Sequence, residues 1–128
     1  MRKRLKDRDR IELWESMDRR CSYCGCELEY KNMQIDHIEP LAFGGEDIRA
    51  NMTPSCRSCN SRKGMFSLEA FRKEISNQPK VLSRDSVTFK NALRFGQVSI
   101  NDIEIVFYFE KRRCKNDTKA NKCNYPNV

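Results

Sequence analysis

Histidine is the scarcest reactive group in this 128-residue chain: there is one, His37. A single imidazole cannot serve both as a ligand of a structural metal and as a general base, so whichever role it takes is exclusive. Long apolar runs are missing too. No stretch approaches the roughly 18 consecutive apolar residues that a membrane span requires. Met1–Arg10 is charged where a secretory leader would carry an apolar segment. The reading from this is a cytoplasmic chain with no membrane partner. Apolar residues make up only 38% of the sequence and the mean hydropathy is -0.80, so the core is small and needs a staple. The seven cysteines are an odd number, which rules out a complete disulfide framework within one chain. A metal is the better use for them.

The charge is not scarce. A net charge of +7 and a pI near 9.2 favour a polyanionic partner, nucleic acid before an anionic membrane. A solvated basic surface is the plain alternative. Residues 1–20 form a basic arm, with Arg2, Lys3, Arg4, Lys6, Arg8 and Arg10, leading into a helix over about Asp7–Met17. Residues 111–128 read as a basic, disordered tail with almost no apolar pattern. Between them, Met33–Ile38 and Met52–Pro54 read as short extended pieces, separated by a loop marked by Pro40 and Gly44-Gly45. A helix is expected from Cys56, interrupted near Gly64, and another after Ser67 with Leu68, Phe71 and Ile75 on one face. Ser86–Phe95 reads as helical, and Val98–Phe109 as a half-buried strand, because Ile103, Ile105, Phe107 and Phe109 alternate.

Cys21-x2-Cys24 and Cys56-x2-Cys59 are two knuckles of equal spacing. A two-residue spacer turns both thiolates of a pair onto one tetrahedral ion, and two pairs close the site with no open position, the signature of structural zinc. Cys26 creates a register ambiguity. Cys21 and Cys24 are preferred because they repeat the spacing of the second pair, leaving Cys26, Cys114 and Cys123 as spare thiols. Closing the knuckles clamps together everything between them, including Asp36, His37 and Asn51, with Asn60 following the last cysteine. With four cysteines filling the metal site, His37 is free for proton transfer.

The order Asp36-His37-Ile38-Glu39-Pro40, Gly44-Gly45, Asn51, Cys56-x2-Cys59-Asn60 and Lys63-Gly64 resembles the HNH endonucleases, the ββα-metal nucleases, over about Cys21–Ile75. Val106–Glu110 also looks like the ending of some phage and bacterial members. The resemblance implies an α+β fold: two short antiparallel strands and a helix around the active site, stapled by zinc, with flanking helices and a C-terminal strand. The expected organisation is a nuclease core over 21–76, a helix-strand extension of it over 77–110, and the terminal segments already described.

By the same resemblance His37 is the general base, Asp36 a carboxylate ligand of the catalytic cation, Asn51 the central asparagine that holds the loop, and Asn60 the second metal ligand. Many members have histidine at this last position. An amide oxygen suits a hard cation, so the departure points to Mg2+ or Mn2+. The implied reaction is hydrolysis of DNA, double-stranded by expectation, to 5′-phosphate and 3′-hydroxyl ends, in a bacterial or phage-infected cell, by a monomer or homodimer. Any phage or host partner is left open. Arg57, Arg62 and Lys63 surround the start of the motif helix and are the expected phosphate contacts.

Asp36 and His37 are adjacent, and neighbours on a regular strand face opposite ways, so the strand must end or bend there if both are to serve one phosphate. Three other readings compete. A non-catalytic four-cysteine zinc module that binds nucleic acid gives no role to Asp36, His37 or Asn60. A mononuclear iron redox site leaves the basic surface without purpose. A cysteine–histidine hydrolase needs a reactive cysteine that the knuckles have already claimed.

Overall fold

Two strands and the helix that follows them carry Asp36, His37, Asn60 and Lys63. The computed structural model describes residues 4–116, with side chains as far as Arg112. Two units are distinguished: residues 4–68 with 106–116, and residues 69–105.

The first unit begins with α1 (Asp7–Ser16), where Asp7 and Asp9 in the first turn complement the positive end of the helix. Leu13 is the buried residue of this helix, and the Trp14 indole donates to the Leu28 carbonyl at 2.9 Å. The chain then reverses into the first knuckle, in which the Cys21 amide donates to Cys26 O and the Gly25 amide to Cys21 O, both at 2.9 Å. Gly25 has φ +79°, a conformation that favours glycine, and a Cβ there would stand in tight contact, 3.3 Å, with the Tyr108 ring.

β1 (Gln34–His37) pairs antiparallel with β2 (Met52–Ser55) in the register Asp36 opposite Thr53 and His37 opposite Met52. Pro54 sits in β2 opposite Ile35. It is tolerated because in a two-stranded sheet each strand has an outer edge, and its carbonyl accepts the Ser22 amide at 3.0 Å. α2 (Arg57–Lys63) follows at once. The Cys56 sulfur caps it by accepting the Cys59 amide at 3.3 Å, and Gly64 ends it with φ 49°.

Chain residues beyond 105 return to this unit. The amides of Tyr108 and Phe109 donate to the carbonyls of Tyr23 and Ser22, and the Phe107 and Phe109 rings lie 5.4 and 6.3 Å from that of Tyr23.

The expected C-terminal strand is not there: the sheet has two strands, and among the described residues none lies beyond Ser55. Helix α5 (Tyr108–Asn116) starts within the segment assigned to that strand. The Glu110 carboxylate accepts the Phe107 amide at 2.9 Å, a reach-back bond that starts a helix. Ile100 and Ile103 are exposed, so the alternating side chains do not form one buried face. Residues 111–116, assigned to the tail, continue α5, and the rest of that tail lies outside the described residues.

The second unit holds most of α3 (Leu68–Asp85) and all of α4 (Val87–Arg94). α3 runs on through Pro79 and past residue 76, where the sequence placed the end of the core. Arg72 ties its own unit together, pairing with Glu69 at 3.0 Å and donating to Ile105 O at 2.8 Å. The Ser86 hydroxyl caps α4 by accepting the Phe89 amide. No helix of the described residues is long and apolar enough to cross a membrane.

Candidate active site and metal centre

The two knuckles meet. The sulfurs of Cys21, Cys24, Cys56 and Cys59 all lie within 4.8 Å of one another, and those of Cys24 and Cys56 are 3.9 Å apart. Four thiolates about 2.3 Å from a shared tetrahedral ion would be separated by about 3.8 Å, so the cluster has the size of a metal site. The preferred register is the one observed, and Cys26 stands outside the cluster. Proton affinities inside it are unequal. Hydrogen bonds from Cys21 and Cys59 draw the Cys24 thiol down to about 3, whereas the bond to Cys21 pushes Cys59 up. Burial, and then Cys24, push Cys26 up to about 12.

Asp36 and His37 occupy the last two positions of β1, and both are buried, each 7% exposed. The strand ends at His37, after which the Ile38 amide donates to Asn51 O at 2.9 Å. Asp36 Oδ2 accepts the Tyr23 hydroxyl at 2.5 Å and the Lys63 ammonium at 3.0 Å. Burial, followed by the Asp36 charge, pushes the Tyr23 phenol far above its usual range, so Tyr23 remains a donor. Lys63 Nζ also donates to the His37 carbonyl at 2.9 Å and so spans both residues of the pair. His37 Nε2 lies 2.8 Å from Asp47 Oδ1. A carboxylate only accepts, so Nε2 carries the hydrogen and Nδ1 is the nitrogen left to take up a proton.

Asn51 closes the loop that carries Asp47. Its Oδ1 accepts the Glu39 amide, and its Nδ2 donates to the carbonyls of Glu39 and Glu46, each at 2.9 Å. Asn60 is half-buried on α2, three residues before Lys63. That spacing puts both on one helix face, and Lys63 on that face reaches Asp36.

One expectation is overturned. Lys63 is 1% exposed and is committed to Asp36 and His37, so it cannot be a phosphate contact. A lysine this deep persists because a carboxylate and a carbonyl replace its water. Arg57 and Arg62 are exposed. Two residues of the site carry no motif in the sequence: Tyr23, a spacer of the first knuckle, and Asp47, in the loop marked by Gly44-Gly45. The usable signal for Asp47 is a carboxylate in the loop between the one histidine and Asn51.

The sequence profile of the HNH endonuclease family matches residues 21–66. The chain is 34% identical over 73 residues to a CRISPR-associated endonuclease Cas9 of Corynebacterium diphtheriae, covering 52% of this chain and 7% of that protein. It is 36% identical over 55 residues to the Cas9 of Actinomyces naeslundii, covering 42% of this chain and 5% of that one. Among solved structures, it is similar to the Type II-C Cas9 enzyme from Actinomyces naeslundii, with 29% identity, a TM-score of 0.49, and coverage of 52% of this chain and 8% of that one. The chain thus spans less than a tenth of the length of these relatives. The strand–loop–strand–helix order, the four-cysteine cluster and the family profile all fall on the same residues, and the segment 21–66 belongs to the HNH endonuclease family.

Proposed function

We propose that this chain is a metal-dependent HNH endonuclease that hydrolyses DNA phosphodiester bonds. The observation that carries the reading is the end of β1, where a carboxylate and an imidazole occupy consecutive positions, each held by its own partners, Tyr23 and Lys63 for Asp36 and Asp47 for His37. His37 takes the proton of the attacking water at Nδ1, while Asp47 holds Nε2. The water oxygen, its proton taken by His37, bonds to phosphorus as the bond to the 3′-oxygen breaks, and that oxygen takes a proton from solvent, giving 5′-phosphate and 3′-hydroxyl ends.

Asp36 and the amide oxygen of Asn60 would hold the divalent cation, and two hard oxygen donors suit Mg2+ or Mn2+. Bound there, such a cation neutralises charge on the phosphate and on the leaving oxygen. The donor set fits this role. Tyr23 and Lys63 occupy one oxygen of Asp36, and the carboxylate retains lone pairs for a second partner. Because Lys63 already offsets the Asp36 charge, the protein alone would bind the cation weakly, and substrate phosphate would complete the shell. Zn2+ is the ion proposed for Cys21, Cys24, Cys56 and Cys59, closed and structural. Double-stranded DNA is the proposed substrate, in keeping with the charge of +7, with Arg57 and Arg62 as backbone contacts.

The test is incubation of zinc-loaded protein with supercoiled plasmid and Mg2+ or Mn2+, followed by end analysis. The expected products are sealed by a ligase that requires 5′-phosphate and extended by a polymerase that requires 3′-hydroxyl. Salt-sensitive binding with no cleavage under any divalent cation would instead support a non-catalytic zinc module.

A further inference from the structure

The loop between His37 and Asn51 brings a second carboxylate to the site, and the reaction just described draws on it only indirectly. Asp47 Oδ1 lies 2.8 Å from His37 Nε2, with the imidazole 7% exposed and the carboxylate side chain 24% exposed. Of the two neutral tautomers, this contact is compatible only with the one that carries hydrogen on Nε2, because the carboxylate has no hydrogen to give. The opposite tautomer would set a lone pair against an anionic oxygen.

Two features hold Asp47 in place. The Asn51 amide donates to the Glu46 carbonyl, next to Asp47, and to the Glu39 carbonyl, two residues after His37, each at 2.9 Å. One side chain therefore pins both sides of the loop that joins base and carboxylate. Gly45 allows the loop to fold this tightly: a Cβ there would stand 1.9 Å from the Glu39 carbonyl oxygen, closer than any real contact. The loop is thus built so that a carboxylate meets the imidazole from one side.

We propose that Asp47 is the positioning residue of this site, locking His37 in the Nε2–H tautomer so that Nδ1 presents its lone pair to the water. The consequence for rate rests on the endonuclease reading; the tautomer lock does not. The chain has one histidine, so its ring nitrogens can be followed without assignment ambiguity.

The experiment is 15N spectroscopy of the imidazole at a pH where the ring is neutral, on the zinc-loaded full chain. Wild type is compared with Asp47→Ala, Asp47→Asn and Asp47→Glu, and single-turnover plasmid cleavage is measured on the same samples. Wild type should show the Nε2–H form alone, and Asp47→Ala a mixture. In Asp47→Asn the amide can donate to Nε2 and should draw the ring towards the Nδ1–H form. Cleavage should fall about 100-fold in the alanine and asparagine variants through the maximal single-turnover rate, with the half-saturating protein concentration unchanged, and recover in part in the glutamate variant. A mixed tautomer in wild type, or an unchanged one in Asp47→Ala, would overturn the lock. Full cleavage by a variant with mixed tautomers would overturn its role in the reaction. If wild type shows the Nε2–H form, loses it in Asp47→Ala and cleaves nothing, the lock stands and the nuclease reading fails.

Discussion

Replacing Lys63 by methionine should destabilise the protein severely without opening a cavity. The Lys63 side chain is fully buried, and its ammonium lies 3.0 Å from Asp36 Oδ2. At an effective dielectric constant near 20, a pair at that distance attracts by about 5–6 kcal/mol before desolvation is subtracted. Methionine fills nearly the same volume, so the loss is electrostatic. It leaves the Asp36 carboxylate with Tyr23 but no countercharge, and the His37 carbonyl without its 2.9 Å donor. Removing one partner of a buried pair costs about 3–5 kcal/mol, and that is the expected loss. The double variant Asp36→Asn/Lys63→Met should recover most of it, because the stranded charge is gone. Urea unfolding of zinc-saturated protein measures both. A loss below about 1 kcal/mol in the single variant would refute the ion pair. A normal unfolding midpoint with weakened, less salt-dependent DNA binding would instead return Lys63 to the surface as a phosphate contact.

Other consequences are open to direct measurement. Stripping the four-cysteine centre with a chelator should abolish the cooperative melt of the unit built on it, and an apo-protein with its full helical signal and melting point would show the ion to be dispensable. Asn51→Ala removes three loop bonds and should cost about 1–3 kcal/mol, with cleavage lowered more than DNA binding; equal losses in both would place Asn51 in substrate contact instead. Tyr23 is held protonated in the fold while an unfolded tyrosine ionises near pH ~10. Its contribution is therefore complete below that pH and declines as pH rises beyond it. The stability difference between wild type and Tyr23→Phe should then shrink above about pH 10 in urea titrations, and a constant difference would contradict the buried phenol.

What could be seen in the sequence was local. The knuckles announce themselves because both thiolates of a pair must come from residues a fixed short step apart, and the resemblance supplied the strand–loop–strand–helix order between them. The buried network was hidden because it depends on depth. A lysine after Arg62 on a short helix looks solvent-facing until the helix is seen against β1, where Lys63 points inward to Asp36. Asp47 follows two glycines and a glutamate, a polar loop by composition, and only the closure by Asn51 turns it towards His37. The C-terminal segment misled in the opposite sense. Alternating apolar residues indicate a strand only when an edge is there to pair with, and here Phe107 and Phe109 pack on Tyr23 at the start of a helix. Pro79 does not end α3, and the Ser83 hydroxyl donates to the Pro79 carbonyl one turn on.

The most direct test of the central claim is the single-turnover rate of plasmid cleavage by His37→Ala beside wild type, with Mg2+ or Mn2+ and with EDTA. Wild type should show metal-dependent cleavage that EDTA stops and that falls at least about 100-fold in the variant, while the variant keeps its melting point and DNA binding. Cleavage at the wild-type rate by folded His37→Ala protein would contradict that claim.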